Sequence, residues 1–142
     1  MNRIEIELLQ HSWASVEPIA DAAAQLFYQR LFEIAPDTRQ LFATTDMAAQ
    51  RQKLLTTIGL AVDKADRVDC LQPVLRELGR NHVKYGVKDH HYDCVGSALL
   101  WTLEQGLGER FTSDVRAAWT VFYAVVTAPM REAASKQRRT AA

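Results

Sequence analysis

Apolar residues that recur every three and four positions along 142 residues constrain this chain more than any other feature. That period belongs to an α-helix, whose turns stack i, i+3, i+4 and i+7 on one face; a half-buried strand needs alternation instead. Only 6 glycines and 4 prolines interrupt the pattern, so a helix is forced to stop in few places. The spacing predicts an all-α chain, and the breaks locate its segments.

A first helix carries Ile6, Leu9, Trp13 and Val16 and ends near Pro18, whose ring and missing N–H disfavour continuation. A second places Ile19, Ala22, Ala23, Leu26 and Phe27 on one stripe and closes at Ala35-Pro36, followed by a short turn into Leu41-Phe42. Ala43 to Asp46 reads as a loop with Asp46 as N-cap for a helix from Met47 to Ala65, whose inward face is Met47, Leu54, Ile58, Ala61 and Val62. Beyond the charged loop Asp63 to Asp69, Leu71, Val74, Leu75, Leu78 and Gly79 share a face up to a stop at Gly86. Asp89 is the expected cap of a helix facing inward with Tyr92, Val95, Gly96, Leu99 and Leu103. After Gly106 to Arg110, Thr112 or Ser113 caps a last helix with Val115, Ala118, Trp119, Phe122, Tyr123 and Val126 on its core side. The result is about seven helical segments in one domain over residues 1–134, then a basic, disordered tail over 135–142.

Charge and motifs narrow the function by exclusion. Lys plus Arg equals Asp plus Glu at 17 each, which gives no field to draw nucleic acid or an anionic membrane. The start MNRIEIELLQ lacks the basic and apolar regions of a secretory leader, and no run of about 18 apolar residues occurs, so a soluble, cytoplasmic protein is expected. Cys70 and Cys94 sit in no zinc-like or redox spacing and are expected to be reduced, mostly packed thiols. Phosphate-cradling loops, the hydrolase elbow and the H-E-x-x-H zinc motif are missing, and no catalytic group is assigned.

Two polar residues stand on otherwise apolar stripes. Gln50 lies four before Leu54, and His82 eleven after Leu71. Burying such groups unpaired costs a few kcal/mol each, so something should satisfy them. Spacing alone leaves His82 as a core histidine bonded to a carbonyl or as a ligand, and Gln50 as a boundary residue or a site residue.

A resemblance decides between these. Trp13, Leu26-Phe27-Tyr28, Leu31-Phe32, Pro36, Leu41-Phe42, Gln50, Lys53-Leu54, Leu78-Gly79-Arg80-Asn81-His82, Tyr85-Gly86-Val87, His91-Tyr92, Ala118-Trp119 and Tyr123 occur in the order found in bacterial single-domain globins. The chain resembles these, the globin domain of flavohaemoglobins and the globins of the Hell's Gate type over residues 3 to about 130.

The resemblance implies a globin fold packed three-over-three around haem b (iron protoporphyrin IX). His82 is then the proximal iron ligand, its other N–H held by a carbonyl or by Tyr92. Phe42, Leu54 and Val87 match apolar haem contacts. Tyr28 and Gln50 match a distal pair whose phenol O–H and carboxamide N–H favour a bound diatomic ligand carrying partial negative charge. In the ferric state a Tyr28 phenolate is a further candidate ligand. The flavohaemoglobin pattern also has a last-helix glutamate relayed to the proximal histidine; here Ala134 stands in its place, with Glu132 two residues away. Arg51, Lys53, Arg80 and Lys84 are candidate rim charges for a propionate, His91 either approaches a propionate or caps a turn, and His11 and His90 are expected to be exposed.

The implied function is reversible binding of O2, with CO and NO, at a five-coordinate iron, for storage or transport, in a monomer or weak homo-oligomer. An alternative is a nitric oxide dioxygenase. The residues after the last helix are too few for flavin and nicotinamide domains, so that activity would need an external reductase. A gas or redox sensor module is a further alternative, with no output domain in view.

Overall fold

Side-chain caps and prolines set most helix boundaries in the computed structural model, which describes residues 1–141. Asn2 caps α1 (Arg3–Val16) by accepting from Glu5 N while Glu5 accepts from Asn2 N, a reciprocal pair that satisfies two free amides. Pro18 falls in the 3-10 turn Glu17–Ile19 that separates α1 from α2 (Ala20–Ile34). Ala35, kept out of helical backbone by Pro36, ends α2 and opens the 3-10 segment Pro36–Phe42. Asp46 accepts from Ala48 N and Ala49 N to start α3 (Met47–Asp63).

A third 3-10 segment, Ala65–Leu71, leads into α4 (Gln72–Lys84). The helix stops at Gly86, whose φ of +94° suits a residue without a Cβ, and Val87 N–H reaches back to His82 O at 2.9 Å. Next come α5 (Asp89–Leu107), the turn Gly108–Arg110 and α6 (Ser113–Ala141). The described residues thus form six α-helices and four 3-10 segments, where the sequence suggests about seven segments.

Four details differ from the sequence reading. The buried row of α2 is Ala23, Ala24, Phe27, Tyr28 and Leu31, which brings Tyr28 fully inward and leaves Ile19 exposed. Lys88, not Asp89, holds the N-cap position of α5. Val74 is half exposed, and Cys70 is exposed rather than packed. The expected disordered tail is helical through Ala141, because half-buried Arg138 reaches back and donates to Val87 O at 3.0 Å. Ala142 lies outside the described residues.

The core closes around Trp119, which is fully buried and donates through Nε1 to Ser12 Oγ at 2.9 Å, with Trp13 beside it. α6 therefore backs the whole fold: it lies along α4, α1 and α5, while α2 packs on α5. Gly79 permits the α4–α6 crossing, since a Cβ there would overlap the Met130 carbonyl. α3 leans on α2 and α1 but makes no substantial contact with α4. That gap between consecutive helices positions the site. Among the described residues no helix is long and apolar enough to cross a membrane.

Candidate functional site

The two helices that bound the gap each carry one polar residue on an otherwise apolar stripe, Gln50 on α3 and His82 on α4. On α4, His82 Nδ1 lies 2.6 Å from Leu78 O, one helical turn back. A carbonyl only accepts, so Nδ1 must carry the proton and Nε2 keeps a free lone pair. Burial lowers the His82 pKa, against the opposing pull of the Leu78 bond, which keeps the ring neutral. A neutral imidazole with one nitrogen tied to backbone and the other bare is the donor that a metal selects.

Tyr92 does not hold the imidazole; the carbonyl does. The Tyr92 ring runs near-parallel to His82, with centroids 6.4 Å apart and planes at 25°, so it backs the histidine as an apolar wall. Its Oη is buried with no hydrogen-bond partner among the described residues, and burial raises its pKa. The Arg131 guanidinium lies over the same ring at 5.1 Å. Ala134 is fully buried, whereas Glu132 is exposed and pairs with Arg76 and Lys136, so Glu132 takes no part in a proximal relay.

Between α3 and α2, Gln50 Nε2 donates to Tyr28 Oη at 3.2 Å, joining residues 22 apart in sequence. Burial raises the Tyr28 pKa more than the Gln50 bond lowers it, so the side chain stays a neutral phenol. Its oxygen accepts from Gln50, which leaves its own hydrogen free to donate elsewhere. Phe42 meets the Tyr28 ring edge-on at 5.4 Å, and Phe32 lies 5.8 Å from Phe42. Leu54 on α3 and Val87 after α4 are half-buried apolar residues against the core, as are Phe42, Leu55 and Ile58.

Rim charges are largely occupied. Arg51 pairs with Asp21 at 3.2 Å, and Arg80 with Glu77 at 2.9 Å, while Lys53 and Lys84 are exposed. His91 caps a turn: its Nδ1 accepts from Lys88 N at 2.9 Å, and its Nε2 donates to Asp37 at 2.8 Å. Sequence patterns missed this bridge, because Asp37 is 54 residues away. His11 and His90 are exposed, as expected.

These residues fit a haem and do not fit a bare ion. The group of three metal-type side chains among the described residues does not include His82, and a lone imidazole holds iron only when a macrocycle supplies the other donors. A flat apolar group between α3 and α4 would cover half-buried Phe42, Leu54 and Val87 and meet the free Nε2 of His82.

Comparison with known proteins places the architecture. The Globin family profile matches residues 25–130. A neuroglobin of Tetraodon nigroviridis is 32% identical over 137 residues, covering 87% of this chain and 86% of its own. An anaerobic nitrite reductase of Oryza sativa subsp. indica is 30% identical over 135 residues, covering 92% and 93%. In three dimensions the chain is similar to a hexacoordinated heme protein from an anhydrobiotic tardigrade, with a TM-score of 0.82 at 20% identity over 95% of this chain and 96% of that one. The chain belongs to the globin family. Family and donor set together support haem binding.

Proposed function

We propose that this globin binds haem b with His82 as its protein ligand and holds O2, and likewise CO and NO, reversibly beneath Tyr28 and Gln50. When bound, haem supplies the iron position at which a diatomic gas is held. What supports the proposal is the pairing, within one globin chain, of a backbone-anchored imidazole with a free Nε2 on α4 and a Tyr28–Gln50 pair with a spare phenol hydrogen on α2 and α3.

Each side does one thing. The Leu78 carbonyl fixes the His82 ring and raises the basicity of its free nitrogen. Tyr28 donates toward the partial negative charge on a bound gas, and Gln50 orients the phenol. A donor of that kind in a water-poor site contributes about 1–3 kcal/mol, so O2 release is slow.

The four histidines are His11, His82, His90 and His91, none of them on α3. On this reading the Tyr28–Gln50 pair takes the side of the haem away from His82, where no second imidazole is available from α3, which supports five-coordinate iron and the likeness to flavohaemoglobin-type single-domain globins. The buried Ala134 and the surface pairing of Glu132 favour binding over O2 activation.

A second reading follows from the name of the rice relative. Reduction of nitrite to nitric oxide and water takes one electron and two protons, and the neutral Tyr28 phenol is a proton donor on the ligand side. That activity, like nitric oxide dioxygenation, consumes an electron in each turnover and so requires a reductant.

Absorption spectroscopy tests the main reading. Reduced, haem-loaded protein exposed in turn to O2 and CO is expected to show reversible shifts of the Soret band, with slow O2 release. Absence of a Soret band after haem addition, or immediate oxidation on contact with O2, would overturn it.

A further inference from the structure

Where the Pro36–Phe42 segment meets the start of α5, three ligand-type atoms converge outside the haem site. Asp37, His90 and His91 each offer one ligand-type atom, and the three atoms lie within 4.8 Å of one another. Asp37 Oδ2 is 2.8 Å from His91 Nε2 and 3.8 Å from His90 Nε2. The two histidines are sequence neighbours, yet their ring centroids are only 4.3 Å apart, so both rings serve the same carboxylate.

We propose that this triad is a binding site for one Zn2+ ion, with Asp37, His90 and His91 as ligands and solvent completing the coordination. Two imidazoles and a carboxylate suit a borderline ion; Mg2+ and Ca2+ prefer an all-oxygen set. Tetrahedral zinc with bonds of ordinary length spaces its donors roughly 3.3 Å apart. The observed separations of 2.8 and 3.8 Å bracket that value.

One ligand is fixed and two are free to adjust. His91 is 3% exposed and held by the Lys88 amide. The side chains of His90 and Asp37 are 61% and 59% exposed and can rotate by the few tenths of an ångström required. Asp37 sits on a segment begun by Pro36 and tied by Thr38 Oγ1 to Ala35 O at 2.6 Å. Asp89, in the first turn of α5, offsets the positive end of the helix, and neighbouring Lys88 opposes it.

The tautomer of His91 gives the site a signature. Its Nδ1 accepts from Lys88 N–H, so the proton sits on Nε2 and is donated to Asp37. An ion binds Nε2 only in the other tautomer: the proton leaves Nε2 for Nδ1, the freed Nε2 lone pair goes to the ion, and Lys88 N–H loses its acceptor. Zinc binding is thereby coupled to uncapping of α5, and it is independent of haem at His82.

The test titrates haem-loaded protein with Zn2+ against a chromophoric chelator, with Mg2+ as control, and follows hydrogen exchange at the Lys88 amide. One Zn2+ per chain is expected in wild type and in His11→Gln, with at least tenfold weaker binding in His90→Ala and in Asp37→Asn. Exchange at Lys88 is expected to quicken when Zn2+ is added to wild type. His90 is exposed, so its loss leaves the fold intact. No submillimolar binding, undiminished affinity in His90→Ala, or unchanged Lys88 exchange would overturn the proposal.

Discussion

The two faces of the gap are built by different means. On the α4 side, His82 is fixed by backbone: its ring is tied to the Leu78 carbonyl, its helix crosses α6 at Gly79, and its own carbonyl receives Val87 N–H. On the α3 side, the polar pair is fixed by side chains alone, with Gln50 Nε2 on Tyr28 Oη and aromatic rings around them. α3 itself leans on α2 and α1 without bracing from α4. Backbone anchoring suits a ligand that must stay in one place, and side-chain anchoring suits donors that adjust to whatever gas is held.

If the two faces divide the work this way, the largest loss belongs to His82. His82→Ala is expected to lower haem retention by orders of magnitude, measured as haem transfer to a scavenging apoglobin, because no second imidazole faces the gap. Next is Tyr28→Phe, which removes a donor of about 1–3 kcal/mol; stopped-flow displacement should show O2 release faster by one to two orders of magnitude. An unchanged rate would deny the α3 face its role.

Gly79→Ala probes the backbone-anchored face. A Cβ there meets the Met130 carbonyl, a rigid neighbour, so thermal unfolding should show a destabilisation of about 1–3 kcal/mol, as for overpacking generally. Gln50→Leu is expected to speed O2 release by less than Tyr28→Phe, since in the proposed reading Gln50 acts through its bond to the phenol. Glu132→Gln should leave gas kinetics unchanged, because its carboxylate is spent on Arg76 and Lys136 at the surface.

The division also has a sign in pH. Burial lowers the His82 pKa, so the folded ring stays neutral at a pH where the unfolded ring, near 6.5 as usual, takes a proton. The unfolded state then binds more protons, and stability of the haem-free protein falls as pH drops below about 6.5 toward the lowered value. Denaturant unfolding at pH 7.5 and 5.5 should show that loss reduced in His82→Gln.

How much of this was written in the sequence depends on range. Pro18, Pro36, Asp46 and Gly86 mark boundaries that the structure keeps, because capping and proline effects act within one turn. His82 on an apolar stripe was legible as an anomaly, though spacing could not say whether it was a ligand or a satisfied core residue. The Tyr28–Gln50 partnership came through resemblance, since nothing local links two helices. What stayed hidden was non-local: the Asp37–His91 bridge, the Arg138 contact that folds the end of the chain onto Val87, and the outward turn of Glu132. Each depends on how α5 and α6 pack, which periodicity does not encode.

The central claim is that His82 Nε2 is the iron's protein ligand. Resonance Raman of the reduced, haem-loaded protein tests it most directly, read beside His82→Gly with and without added imidazole. An iron–imidazole stretching band in wild type, lost in His82→Gly and restored by imidazole, is the expected result. The same band persisting in His82→Gly without imidazole would contradict it.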